Sequence, residues 1–329
     1  MDISCATPTT LDSPEHVAIA EELGYKRAWF YDTPQQSPDV WMMLALTAQR
    51  TERIGLGPGV LVPSLRHPMV NAAATAALEA LAPGRVAVAF GTGFSSRRAM
   101  GDGPLKWAFV EAYIKAFKGL LRGEVVEWEG SRLRMLHPEG HGAPRPVEVP
   151  VVIGALGPKG GAIAKQQGDG LIAVAGVPDF AKEFSWVTYL GFGTVLDQSE
   201  DPQSERVREA AGPATMITYH GVYEYGGSVA ELPGGREWLA VIEQVPKQER
   251  HLAVHHQHQV GLNSADQAAW NAGAHAMVES FSFSGTKTKI RDKVTQLAER
   301  GVTEIAYQPA GPDIRRELSV FMEAASVDG

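Results

Sequence analysis

Short apolar runs alternate with longer amphipathic stretches along this chain, and the alternation predicts strands followed by helices. Strands are expected over 3–6, 27–31, 54–62, 85–90, 149–153, 170–174, 186–195 and 302–307. Helices are expected from Ser13-Pro14-Glu15 to Leu23, from Ser37-Pro38-Asp39 to near Arg53, and over 68–81, 105–121, 159–167, 286–300 and 313–325. In the first two, serine reads as the N-cap and proline as the first helical residue, while Gly24, Gly123 and Gly301 read as stops. Val86-Ala87-Val88-Ala89-Phe90 is apolar without a break, as a strand buried on both faces of a parallel sheet should be. Strands alternating with helices in this way predict an α/β fold, a (β/α)8 TIM barrel with insertions. Residues 125–136, turning at Glu129-Gly130-Ser131, read as a hairpin insertion. Residues 213–283 combine Gly226-Gly227, Pro233-Gly234-Gly235, two short helices and a histidine-rich stretch, and read as a longer insertion near the barrel mouth. One domain over 1–329 is the simplest organisation.

Composition narrows the partners. With 329 residues, 44% of them apolar, the chain can bury a large core, and its net charge of −8 argues against nucleic acid or an anionic membrane. A single cysteine, Cys5, excludes an internal disulfide and a multi-cysteine metal site; it reads as a small buried residue of the first strand. No apolar run approaches the ~18 residues of a membrane span. The first residues lack a basic stretch leading into an apolar one, so a soluble, cytoplasmic chain is expected.

In a parallel barrel, chemistry sits at the C-terminal ends of the strands. The residues there are Asp32-Thr33-Pro34, Gly57 to Leu61, Gly91-Thr92-Gly93-Phe94, Gly154 to Gly161, and Ala175-Gly176. Four of these five segments carry glycine, which lets the main chain approach a flat ligand closely. Gly154 to Gly161 leaves a buried strand and enters a helix, where bare N–H groups and the helix dipole suit a phosphate and Lys159 adds a charge; an ordinary strand-to-helix turn is the competing reading. It is not a P-loop, because Gly-Lys-Ser/Thr is absent. Gly91-Thr92-Gly93 lacks the third glycine and the later acidic residue of a dinucleotide fingerprint. Arg97 and Arg98 either face an anionic ligand or are solvated loop charges. His251, His255, His256 and His258 lack a His-Glu-x-x-His pattern, and a structural or substrate-contact role is favoured over a metal site; no metal is expected.

These strand ends, taken in order, resemble the bacterial luciferase-like superfamily of barrel oxidoreductases, and most closely its branch that uses the deazaflavin F420. The stretches that carry the likeness are Trp29-Phe30-Tyr31-Asp32, Gly59-Val60-Leu61-Val62-Pro63 with Arg66-His67-Pro68, Pro83-Gly84-Arg85, Gly91-Thr92-Gly93, and Gly154 to Lys159 followed by Gly168-Asp169-Gly170. The resemblance implies that Asp32 lies beside the deazaflavin ring and that Gly59-Val60 matches a non-prolyl cis peptide backing it. It implies that Gly91 and Gly93 bring the fourth strand to the cofactor, and that Leu156, Gly157, Pro158, Lys159 and Gly160 grip its phosphate end; Arg97, from its position alone, is counted with the cofactor contacts. Two departures stand out. Thr33 occupies the place of a histidine, and Phe94 the place of a glutamate, that F420-dependent sugar-phosphate dehydrogenases carry. Sugar-phosphate oxidation therefore loses its acid/base pair, and Phe94 reads as an apolar wall for substrate.

The expected function is hydride transfer between F420 and a small organic substrate, with Asp32, His67 or a histidine of the insertion handling the proton. The alternatives are an FMN-dependent luciferase-like monooxygenase and, in another class, a non-catalytic cofactor-binding protein. The small residues of Asn71 to Ala77 suggest close helix packing, either within the barrel or, as the family habit implies, in a homodimer.

Overall fold

The computed structural model describes residues 1–326, and its elements follow in chain order. β1 (Asp2–Thr7) leads to α1 (Ser13–Glu22), β2 (Arg27–Phe30) to α2 (Val40–Arg50), and β3 (Gly55–Pro58) to α3 (Pro68–Leu81). β4 (Val88–Phe90) is followed by the single turn α4 (Ser95–Arg98) and the long α5 (Trp107–Arg122), then by the hairpin β5 (Val126–Trp128) and β6 (Ser131–Leu133). β7 (Val151–Gly154) leads to α6 (Pro158–Gln167), and β8 (Gly170–Val174) to β9 (Val187–Phe192) and the short β10 (Val195–Leu196). A helical stretch follows: α7 (Glu205–Glu224), α8 (Gly235–Glu243), α9 (Arg250–His255), α10 (Ser264–Asn271) and α11 (Val278–Phe281). After it come β11 (Gly285–Thr286), α12 (Lys287–Glu299), β12 (Glu304–Gln308) and α13 (Ile314–Ala325).

One eight-stranded sheet runs in the order β3-β2-β1-β12-β9-β8-β7-β4, and parallel bridges from Leu56 to Val86 and from Leu61 to Phe90 bring its two edges together. The result is the (β/α)8 barrel. Its strands are buried because they have helices on one side and each other on the inside: β4 and β12 are buried along their whole length. The covering helices carry apolar stripes. On α5, Val110, Tyr113, Ile114, Phe117 and Leu121 recur at helical spacing, and all are buried. At the N-terminal face of the barrel, buried Glu304 accepts hydrogen bonds from Trp29 Nε1 (3.2 Å), Trp186 Nε1 (2.5 Å) and Thr188 Oγ1 (2.9 Å). A carboxylate can be buried there because neutral donors satisfy it.

The chain divides into two compact units. The first comprises Met1–Gly93, Pro104–Leu190 and Arg300–Ala306 and holds most of the barrel. The second comprises Phe94–Gly103, Gly191–Glu299 and the stretch from Tyr307 onward. The second has its own core, built on Met216, Tyr219, Trp238, Val254, Ala269 and Trp270.

Several local expectations are corrected. Ser13 does not cap α1: the cap position is Asp12, which makes no side-chain cap, and Ser13 Oγ instead accepts the Thr10 N–H at 2.8 Å. Ser37 does not cap α2 either. Asp39 does, accepting the N–H groups of Trp41 (2.9 Å) and Met42 (3.1 Å), so the helix starts at Val40. The third strand stops at Pro58, where the Gly59–Val60 peptide is cis, the bond the resemblance implies at this position. The seventh is split into β9 and β10 at Gly193, whose φ of 149° breaks the ladder. Residues 213–283 hold more helix than the two short ones expected. α7 begins at Glu205 and runs through Pro213; the hydrogen bond that proline cannot donate belongs to the carbonyl of Glu209, an exposed residue that water can serve.

Candidate active site

The C-terminal ends of the barrel strands in the first unit bring most of the predicted residues together. Asp32 follows β2 directly and is only 3% exposed. Both its oxygens accept from Arg66 Nη1, at 2.7 and 2.8 Å, while Arg66 Nη2 reaches Asp39 at 2.6 Å. Tyr113 donates to the Arg66 carbonyl (2.8 Å), Asn71 Nδ2 donates to the Tyr113 hydroxyl (2.7 Å), and Trp41 Nε1 donates to Asn71 (3.0 Å). Arg66 is thus fixed from both ends. Burial pushes the Asp32 carboxyl above its ordinary range, and the Arg66 charge opposes that shift. The sequence marks Arg66 only as part of a motif; its clamp on Asp32 emerges from the fold.

Val60 is partly exposed and sits on glycine. A Cβ on Gly91 would lie 2.7 Å from Val60 Cγ2, and one on Gly154 would lie 3.3 Å from Val60 Cγ1. The bare ends of β4 and β7 therefore accommodate the chain's own valine, which they present at the rim. Gly93 adopts φ of 81°, a left-handed conformation that favours glycine. At the start of α6, Leu156, Gly157, Pro158 and Lys159 are exposed, and no side chain caps the helix. Here the glycines part company. A Cβ on Gly157 would meet nothing within 4 Å, whereas one on Gly160 would strike the Trp107 ring and lie 2.7 Å from Ala155 Cβ. Gly157 leaves open space, while Gly160 makes room for the protein itself.

His67 is exposed at the head of α3, and its Nδ1 accepts the Met69 N–H at 3.2 Å. Its visible task is to cap that helix. Asn71, Ala72, Thr75 and Ala76 are buried within the chain's own packing of α3, so this part of the small-residue stripe is used inside the first unit.

Two predicted residues fall in the second unit. Phe94 stacks on Tyr225 (5.3 Å between centroids, 22° between planes). Arg97 donates from Nε to the Gly103 carbonyl (2.5 Å) and pairs with Asp102 at 3.4 Å, within its own loop. The same unit holds a buried polar chain. Ser95 Oγ lies 3.1 Å from His258 Nε2, His258 Nδ1 lies 2.6 Å from His220 Nδ1, and His220 Nε2 lies 2.9 Å from Asp266 Oδ1. Trp238 Nε1 also donates to Asp266, at 2.8 Å. Beside it, His255 Nε2 meets Glu224 at 3.0 Å, and Glu224 pairs with Arg98 at 3.3 Å. The histidine-rich stretch is visible in the sequence, but nothing in its spacing points to Ser95, His220 or Asp266.

A family model described as luciferase-like monooxygenase matches residues 7–185, a range that contains the candidates from Asp32 to Gly160 but not the histidines of the insertion. The chain belongs to this family. Among its relatives, this luciferase-like protein is 25% identical to the 5,10-methylenetetrahydromethanopterin reductase of Archaeoglobus fulgidus, over 93% of the chain and 92% of that protein. It is 33% identical to the F420-dependent glucose-6-phosphate dehydrogenase of Beutenbergia cavernae, over 49% of the chain and 52% of that protein. A solved F420-dependent secondary alcohol dehydrogenase, in complex with an F420-acetone adduct, superposes with a TM-score of 0.68 at 17% identity, covering 99% of both chains, a likeness of fold.

Proposed function

We propose that this luciferase-like protein is an F420-dependent oxidoreductase that transfers a hydride between the deazaflavin and a small organic substrate. An F420-dependent dehydrogenase at 33% identity supports the cofactor, and a reductase matched over nearly the whole chain supports redox chemistry. The open, uncapped start of α6 carries the local fit, because exposed Gly157 leaves room where the phosphate end would lie. Leu156, Gly157, Pro158, Lys159 and Gly160 would hold that end, with Arg97 as an anion contact; Gly59, Val60, Gly91 and Gly93 would back the ring. Asp32 contributes a fixed charge, His67 is the candidate proton-handling residue of the strand ends, and Phe94 with Tyr225 forms an apolar wall for substrate. When bound, the deazaflavin supplies the hydride acceptor or donor, while the chain positions the reactants and excludes water.

The single-domain organisation, with 125–136 and 213–283 as insertions, belongs to the same reading. So do cytoplasmic location and a homodimer. The dimer draws support from Met42 (64% exposed), Leu46 and Val70, large apolar side chains on α2 and α3 that the chain leaves uncovered. The family's own description favours one other reading, an FMN-dependent monooxygenase. Titration of the purified protein with F420 and with FMN, followed by absorbance and fluorescence, tests the cofactor. F420 is expected to bind at micromolar concentration. Tight FMN binding without F420 binding would overturn the assignment in favour of the monooxygenase, and binding of neither would favour a protein without this chemistry.

A further inference from the structure

The sequence offers Asp32 as a proton-handling residue beside the ring, but its surroundings fit a different task. Only 1% of its side chain is exposed, and both oxygens face Arg66 Nη1, a donor that keeps its proton. A group that exchanges a proton with a substrate must reach it, and this carboxylate reaches its own chain. Its Oδ2 also lies 3.5 Å from the Val62 N–H, a weak bond on the near side of the turn Pro63–Leu65. One carboxylate just past β2 thus gathers residues 62 and 66, with the turn folded between them.

This turn continues the stretch that carries Val60. The main chain itself binds 59–61 to the barrel. The Gly59 N–H donates to the Phe30 carbonyl (2.7 Å), the Leu61 N–H donates to the Ala89 carbonyl (2.7 Å), and the Leu61 carbonyl accepts the Gly91 N–H (3.1 Å). Beyond Leu61 side chains take over, and they form a closed circuit. Arg66 donates to Asp39, and Asp39 accepts the Trp41 backbone N–H; the Trp41 ring donates to Asn71, Asn71 to Tyr113, and Tyr113 back to the Arg66 carbonyl. The circuit draws α2, α3 and α5 around one arginine. Asn71 and Tyr113 are fully buried, and burial pushes the Tyr113 hydroxyl above its ordinary range, so it remains the donor the circuit needs. A buried network satisfied in this way is rigid. Within the stretch, Leu61, Val62 and Pro63 are buried while Val60 is partly exposed against the bare ends of β4 and β7. Val60 is the apolar side chain that this stretch offers to a flat ligand.

We propose that Asp32 is a positioning residue of the cofactor site, neither a proton carrier nor a ring contact: with Arg66 it clasps the 62–66 turn and so fixes Val60 as the surface on which the ring rests. The proposal rests on the F420 reading above. It leaves His67 as the strand-end group that can exchange a proton.

Two measurements decide it. The first needs no cofactor: hydrogen exchange followed by mass spectrometry, on the parent and on Asp32→Asn/Arg66→Met, in which no bare charge remains. Peptides covering 59–66 should exchange ~10-fold faster or more in the variant, within the reach of charge-assisted hydrogen bonds, while those of β7 hold. Unchanged exchange over 59–66 overturns the clasp whatever the cofactor. The second titrates F420, followed by fluorescence, into the parent, the same double variant, Val60→Ala and the triple variant. The double variant should bind ~10-fold more weakly, and in the Val60→Ala background the same pair should change affinity by less than ~2-fold, because the clasp acts through Val60. A general loosening of the fold would add in full on Val60→Ala, and full additivity or equal affinity of parent and double variant overturns the proposal. Asp32→Asn alone should leave the absorbance spectrum of bound F420 unmoved; a shifted spectrum makes Asp32 a ring contact and overturns it too. If the parent does not bind F420, the cofactor reading falls, and exchange over 59–66 still judges the clasp.

Discussion

Asp32 in the barrel and Asp266 in the helical unit are both withdrawn from water, at 3% and 0% exposure, yet they are held by different means. Asp32 is held by a cation: Arg66 spans both its oxygens and Asp39. Asp266 is held by the ring nitrogens of His220 and Trp238 and by the Asn263 backbone amide. The first arrangement pins a charge in place, because a guanidinium has no proton to spare. The second holds its carboxylate through N–H groups of a ring network, in which each histidine bonds through both ring nitrogens.

The sharpest way to test this contrast is to remove the cation. Arg66→Met leaves the buried Asp32 carboxylate without its partner and should cost about 3–5 kcal/mol of stability. In Asp32→Asn/Arg66→Met most of that loss should return, because no bare charge remains. Urea unfolding followed by circular dichroism reads both. A loss below about 1 kcal/mol in the single variant, the range of surface pairs, would mean that Arg66 does not hold Asp32 in the way described.

Within the barrel rim, two glycines of one turn offer a finer test. Gly160→Ala drives a methyl into Trp107 and Ala155, an overpacking that should cost about 1–3 kcal/mol. Gly157→Ala meets open space at φ of −100° and should be neutral or slightly stabilising for the fold. If the phosphate end of F420 lies there, however, Gly157→Ala should weaken F420 binding measured by fluorescence. Equal melting temperatures for the two variants would contradict the packing read at Gly160.

The contrast between the two regions also separates what the sequence discloses from what it hides. β4 and β7 follow from unbroken apolar runs and β2 from the run Ala28 to Tyr31, while β3, with its glycines and Pro58, is legible only from its place in the alternation; Asp32 and Gly157 are legible because each stands just past such a run, at the C-terminal rim of the barrel. Local propensity misleads where two groups compete for one role: Asp39 outbids Ser37 as the cap of α2 because its carboxylate accepts two N–H groups. The helical unit is harder. The insertion is expected to begin at residue 213, yet Pro213 lies inside α7, where the orphaned carbonyl falls on an exposed residue. The network uses positions 95, 220, 258 and 266, brought together by tertiary packing that no periodicity encodes. His258 stands in the visible histidine-rich stretch, and Asn263 and Asp266 leave a local trace as a capping box three residues apart.

The smallest expected effect probes how strongly burial disfavours a charged His258. His258 titrates well below the ordinary 6.5, with burial the leading cause. As the pH falls below 6.5 the unfolded chain takes up a proton at this position while the folded chain refuses it. The stability that His258 contributes is therefore whole above that pH and lost on acidification towards its folded pKa. The slope is about 1.4 kcal/mol per pH unit for each excluded proton. His255 and His16, also lowered chiefly by burial, add slopes of the same sign. Comparison of the parent with His258→Gln isolates one of them: urea unfolding at pH 5 to 7.5 should show a shallower acid dependence in the variant. Identical slopes would mean that the fold does not disfavour the charged imidazole at His258.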